Sequence, residues 1–210
     1  MSREAHVQFC ERLGVRFPWA THLIVHCKTE PQALFIRKFI EEKLAQCKLE
    51  LHPEKTKIVY CKDVNRRGSY PNEKFDFLGY TFQARLVGNK QGNVFVNFTP
   101  AVSNKAKKSM NKEMRHWQVH LHSDKSLEDI AWFVNPTIRG WINYYGKFYK
   151  TALCRLFNLF NVTLTRWVMR KYKRFRCHKS RARYWLGHVA EREPDLFAHW
   201  QLLGIRPATG

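Results

Sequence analysis

Between Ile130 and Ala190 the sequence has no acidic residue, although 13 Lys and Arg side chains lie in that stretch. Ordinary solvated helix faces mix both signs. A run without one carboxylate repels itself unless a polyanion neutralises it. Long hydrophobic runs are missing as well. No stretch of about 18 apolar residues exists, which argues against a membrane-spanning helix. The N-terminal MSREAHVQFCER lacks the apolar core of a signal peptide. Paired cysteines are also absent: Cys10, Cys27, Cys47, Cys61, Cys154 and Cys177 are scattered, with no CxxC. This argues against a disulfide framework and implies free thiols in a reducing cytoplasm. Cys177-His178 has no second ligand pair at zinc spacing, so structural zinc is not expected. There is no internal repeat and no low-complexity segment.

What is present in excess is positive charge. The 210 residues carry 37 Lys+Arg against 17 Asp+Glu, a net +20. The excess is uneven, net +6 over residues 1–100 and net +14 over residues 101–210. A field of that strength favours polyanions, and without a membrane anchor nucleic acid is the leading partner.

Periodicity gives the architecture. Leu23-Ile24-Val25-His26-Cys27 reads as a buried strand, and Thr29 with Pro31 reads as the capped start of a helix over 31–48. KIVYC (57–61) is a β-branched strand. Residues 63–73 form a loop, and 74–86 with 94–98 form a hairpin joined by VGNKQGN. After Pro100 the pattern turns helical. Ser103 caps a helix to about 121, and Ser126 with Asp129 forms a loose capping box. Asn135-Pro136 is expected to break that helix. Residues 136–176 read as helical with weak points at Gly140 and Gly146, and 178–192 and DLFAHWQLLG add two more helices. The fold class is therefore α+β, with a strand-helix-strand-hairpin half and an all-α half meeting near 99–103.

The chemistry-bearing segment is RKYKRFRCHKSRAR (170–183). Arg170, Lys171, Lys173, Arg174, Arg176, Lys179, Arg181 and Arg183 are cations able to grip phosphates. Tyr172 and Phe175 lie between them, either as rings that stack on unpaired bases or as core. On a continuous helix these cations would wrap most of the circumference. Upstream, IRGWINYYGKFYK (138–150) is dense in aromatics. Trp141, Tyr144, Tyr145, Phe148 and Tyr149 cover several faces, and core packing explains most of these rings, whereas Arg139, Tyr144, Tyr145 and Lys147, with Arg166 further on, are candidates for nucleic-acid contact. Gly140 and Gly146 would allow close approach of a helix or a sugar-phosphate backbone. Lys55 and Lys57 are weaker candidates for phosphate contact.

LELHPEKTKIVYC followed by FDFLGYTF resembles the late palm of bacterial group II intron reverse transcriptases. NPTIRGWINYYGKFY and RWVMRKYKRFR resemble the thumb and maturase-specific region, domain X, that follow it, and REPDLFAHW is similar to the end of that family. The resemblance spans roughly residues 23–205. It implies a partial reverse-transcriptase palm over 23–102, a helical thumb and domain X over 103–205, a divergent segment over 1–22 and a tail over 206–210. It also implies a protein that binds its intron RNA and assists splicing. Phe77, Leu78, Gly79 and Tyr80 fall where the family places a primer-grip turn; a plain hairpin turn is the alternative.

In that family Tyr-Ala-Asp-Asp precedes an apolar run ending His-Cys-Lys. Here LIVHCK is kept, Trp19 stands for the Tyr, Ala20 matches, and Thr21 and His22 replace the two aspartates. Those carboxylates hold two Mg²⁺ ions in intact members. Magnesium needs hard anionic oxygen, a Thr hydroxyl is a weak ligand, and imidazole suits softer metals. The residues before Trp19 leave no room for fingers or for an upstream aspartate. The expected function is RNA binding, with structured group II intron RNA as partner, no polymerase activity and no resident metal. The alternatives are one piece of a split polymerase, a truncated product without a role, and generic DNA binding. Self-association through an open palm sheet is a further expectation.

Overall fold

The computed structural model describes residues 5–10, 22–66, 68–89 and 91–203; for 5–10 and 22 only the backbone is described. The described residues divide into two compact units after Pro100. The first holds a small antiparallel sheet of β1 (Ala5–Cys10), β2 (His22–Cys27) and β3 (Lys57–Tyr60), in the order β2-β1-β3. Val7 of β1 stands opposite Val25 of β2 and Ile58 of β3. Helix α1 (Glu30–Gln46) starts as its sequence implies: the Thr29 hydroxyl accepts from the Gln32 N–H at 3.3 Å, and Pro31 lies in the first turn. Its inner stripe sets buried Ala33, with Ile36 and Ile40, against Cys27, Val25, Leu51 and Ile58.

The other strands of this unit are β4 (Lys74–Phe77), β5 (Tyr80–Gly88) and β6 (Val94–Val102), in the order β4-β5-β6. The second unit is helical: α2 (Asn104–His116), α3 (Leu127–Tyr145), α4 (Thr151–Lys171), α5 (Lys179–Arg192) and α6 (Ala198–Leu203). Ser103 caps α2, and Ser126 with Asp129 forms a reciprocal capping box at α3. The core runs through all five helices. Trp117 stacks on Trp141 at 5.6 Å and meets Phe160 edge-on, and fully buried Trp167 donates its indole N–H to the His122 carbonyl at 2.7 Å. The chain is thus α+β, and no described helix is long and apolar enough to cross a membrane.

Four expectations are corrected. Pro136 does not break α3, which continues to Tyr145. A proline removes one N–H, so the Trp132 carbonyl loses its helical donor. Both residues are exposed, where water replaces the bond, while Val134 and Ile138 on the inner face stay buried. The predicted helix over 136–176 is two helices: α3 ends at Gly146 and α4 starts at Thr151. A Cβ on Gly146 would lie 2.4 Å from the Ile142 carbonyl oxygen, so only glycine closes this end without a shift. Residues 74–86 are not one strand but a tight hairpin with Leu78 and Gly79 at φ of 46° and 80°. Positive φ at both central residues matches the right-handed twist of the flanking strands. Finally, β1 was not expected in the divergent segment, although its alternation of Ala5, Val7 and Phe9 with His6, Gln8 and Cys10 is a strand signal.

The end of the chain is tied to the bundle by two asparagines. Asn135 donates to the Leu196 carbonyl at 2.8 Å and accepts from the Ala198 N–H at 3.0 Å. The Asn161 side-chain oxygen lies 2.8 Å from His199 Nε2 and accepts from the Trp200 indole at 3.1 Å. An amide oxygen only accepts, so Nε2 carries the His199 proton. The ring sits among Phe157, Phe160 and Phe197, and its Nδ1 has no hydrogen-bond partner among the described residues. Burial pushes the His199 pKa down to about 3. The imidazole stays neutral in the fold and takes up a proton on unfolding below its ordinary value near 6.5, so stability falls as pH drops from about 6.5 toward 3. Denaturant unfolding should show this loss, up to about 1.4 kcal/mol per pH unit. His199→Gln, which keeps a donor for Asn161, should be less stable at pH 7 but lose that part of the acid slope.

Candidate nucleic-acid interface

The acid-free run does not fold as one helix. Its basic cluster is divided among the end of α4, a 3₁₀ turn (Lys173–Phe175) and the start of α5. Tyr172 leaves the helical conformation, and Cys177 adopts a left-handed φ of 66° that redirects the chain. The pivot is aromatic. Phe175 is buried, and it, Tyr172 and Trp185 pack on one another, with Tyr172 edge-on to Trp167 at 6.0 Å. Of the two readings of Tyr172 and Phe175, core packing is the one the geometry shows. Burying these rings leaves their charged neighbours outside. Arg170, Lys173, Arg174, Arg176, Lys179, Arg181 and Arg183 are all exposed. Arg174 lies 4.6 Å above the Phe175 ring, which holds its guanidinium by a cation–π contact.

Lys171 differs from the rest of the cluster. Its ammonium donates to the Lys125 carbonyl, stands 5.2 Å over the Trp167 ring, and lowers the pKa values of Glu128 and Asp129 as a minor contributor. The Ser126 hydrogen bonds of the helix cap are the larger cause of the Asp129 shift. Lys171 is therefore a half-buried strut between α4 and the α3 start.

Helix α4 carries a second basic surface. Arg155, Leu159, Val162, Arg166 and Arg170 recur at intervals of three and four and are exposed, so they form one stripe. It extends about 22 Å along the helix. On α3, Arg139 is exposed and Tyr144 half-exposed, and Lys147 follows in the link to α4. Tyr145 is more enclosed, which raises its pKa through burial and then through Tyr144, whose ring it meets edge-on at 4.7 Å. Gly140 is exposed, and a Cβ built there meets nothing within 4 Å. No protein neighbour requires a glycine at that point.

Helix starts add to the field. Neither α4 nor α5 has a side-chain cap or an acidic residue in its first turn. Lys150 precedes α4, while Lys179 and Arg181 begin α5. Helix N-termini carry partial positive charge from free N–H groups, so cations there are unfavourable and anions favourable. In the helical unit three further aromatics that no sequence motif marks are exposed: Trp132 (82% exposed), Phe133 and Tyr184. Helical phase could have revealed the first two, because they fall outside the stripe of Ile130, Ala131, Val134 and Ile138.

Of the metal-ligand positions implied by the resemblance, Trp19, Ala20 and Thr21 lie outside the described residues, and His22 is described by its backbone alone. A hydroxyl and an imidazole do not fit Mg²⁺. Among the described residues no three His, Cys, Asp or Glu side chains gather as a metal site. Phe77, Leu78, Gly79 and Tyr80 form the hairpin turn described above, with the Leu78 side chain exposed.

The family model of the group II intron, maturase-specific domain matches residues 107–185. It runs from the first turn of α2 into α5 and includes the basic cluster and the α4 stripe. This match supports a group II intron maturase. No curated protein matches the chain.

Two substitutions separate strut from surface. Lys171→Gln should lower stability, measured by denaturant unfolding, by about 1 kcal/mol through the lost carbonyl and ring contacts, whereas Arg170→Gln should leave stability within about 0.5 kcal/mol. Gly140→Ala should stabilise α3 by about 0.5–1 kcal/mol, since alanine meets no atom there.

Proposed function

We propose that this protein binds group II intron RNA through the helical unit and assists the folding or splicing of that RNA, without polymerase activity of its own. The observation that carries the reading is the pair of uncapped, cation-flanked helix starts at α4 and α5 within the maturase-specific match. Folding stability alone would select acidic residues there. Lys and Arg make sense at those positions when phosphate oxygens are the missing acceptors. The exposed Arg155, Arg166 and Arg170 stripe supplies further contacts to the same backbone, and exposed Tyr144 and Tyr184 offer faces for unpaired bases.

The proposed lack of polymerase activity rests on Thr21 and His22, which remove about two negative charges from the place where two-metal phosphoryl transfer needs them. On this reading the first unit is a partial reverse-transcriptase palm in which the Phe77–Tyr80 turn keeps a backbone-facing role. Primer extension with Mg²⁺ should yield no DNA from this chain alone; extension that a chelator abolishes overturns this part.

Binding of structured intron RNA should weaken with salt at a log–log slope of roughly −4 to −6, for six to eight phosphate contacts. The double change Lys179→Gln and Arg181→Gln should reduce that slope by about 1.4 and leave thermal stability unchanged or slightly higher. The RNA should outcompete duplex DNA of equal length at fixed salt. Salt-independent binding, or none, sinks the proposal.

A further inference from the structure

The first unit lies outside the maturase-specific match and contains a pocket of its own. Its walls come from three separate segments: Arg37 on the inner side of α1, Glu54 to Lys57 in the turn before and at the start of β3, and Asn72 in the loop before β4. The floor is fixed by the backbone. The His52 carbonyl accepts from the N–H groups of Lys55 and Thr56 at 3.2 and 2.9 Å, and the Asn72 carbonyl accepts from Tyr60 at 2.8 Å. Thr56 is buried, and His52 in the same turn keeps a buried Nδ1 without a hydrogen-bond partner among the described residues.

Three cations, Arg37, Lys55 and Lys57, face this pocket with Glu54 as its single carboxylate. None of the three is ion-paired among the described residues, although other lysines of the unit are: Lys38 with Glu42 and Lys62 with Glu73. Arg37 and Lys55 are half-buried. Holding uncompensated cations in one partly shielded concavity is unfavourable unless an anion completes it. A guanidinium fork, two ammonium groups and an amide suit the tetrahedral oxygens of a phosphate. A flat carboxylate ligand would leave part of this donor set unused.

We propose that the Arg37–Lys55–Lys57 pocket is a phosphate site, a second point of nucleic-acid contact separate from the helical unit. The shared chemistry is the phosphate oxyanion, supplied by the backbone of bound RNA or by free inorganic phosphate. The RNA arm rests on the function proposed above.

The test uses the full chain and compares the double change Lys55→Gln and Lys57→Gln with Lys38→Gln and Lys43→Gln. The second pair removes the same charge from residues of α1 that do not line the pocket. Thermal unfolding checks that both variants fold. In salt titrations with structured intron RNA, the pocket variant should lower the log–log slope by about 1.4, with the control nearer the wild type. Calorimetry with inorganic phosphate should show wild-type binding that the pocket variant loses, which identifies the free ion as an occupant. Equal slopes for the two variants, together with no phosphate binding by the wild type, overturn the site. If the wild type fails to bind RNA at all, the function proposed above fails, and the phosphate arm alone then decides the pocket.

Discussion

Two amide side chains, buried Asn135 and half-buried Asn161, hold the helical unit closed. Asn135 binds the backbone of Leu196 and Ala198, 61 and 63 residues further along the chain, and Asn161 binds the rings of His199 and Trp200, 38 and 39 residues further on. Buried polar groups must be paired, so these contacts specify one position for the Leu196–Trp200 segment. Loss of either would leave the partner groups unsatisfied within a ring cluster of Phe157, Phe160, Phe197 and Trp200. That cluster in turn supports α3 and α4, on which the exposed arginines stand. The neutral imidazole of His199 belongs to the same arrangement: it gives one hydrogen bond and otherwise behaves as an apolar ring.

A rigid core matters here because the surface works against folding. Repulsion among like charges destabilises a compact state, and the acid-free run has no carboxylate of its own to relieve it. The structure limits the damage locally. Lys171 is held by the Lys125 carbonyl and the Trp167 ring, Arg174 lies on a ring, and the 3₁₀ turn spreads the cluster over two helices and a link. What is not relieved is the charge at the starts of α4 and α5. Those helix ends are held by packing rather than by capping, and they are the strongest physical argument for an anionic partner.

Much of the fold was legible because its signals are local. Thr29-Glu30-Pro31, Ser103 and the Ser126–Asp129 box are side chain to backbone bonds within a few residues, and each helix starts where they stand. The failures came where a local signal was overruled. Pro136 is a helix breaker by propensity, yet the buried stripe on either side of it carries α3 through. Tyr172 and Phe175 looked as suitable for stacking on bases as for packing, and Trp185, distant in sequence, settled it. For the candidate site, the sign of the surface was plain from composition, but the division between struts and free cations was not. Lys171 and Arg170 are adjacent and chemically alike, and the positions of the Lys125 carbonyl and the Trp167 ring separate them.

The sequence by itself determined the charge, the α+β order of elements and most helix starts. These depend on residue identity and on contacts a few positions apart. The tertiary structure decided which cations face solvent, where the basic cluster bends, which rings are core, and that Arg37 shares a pocket with Lys55 and Lys57. Those outcomes depend on which distant side chains compete for the same buried volume, and no local pattern encodes that competition.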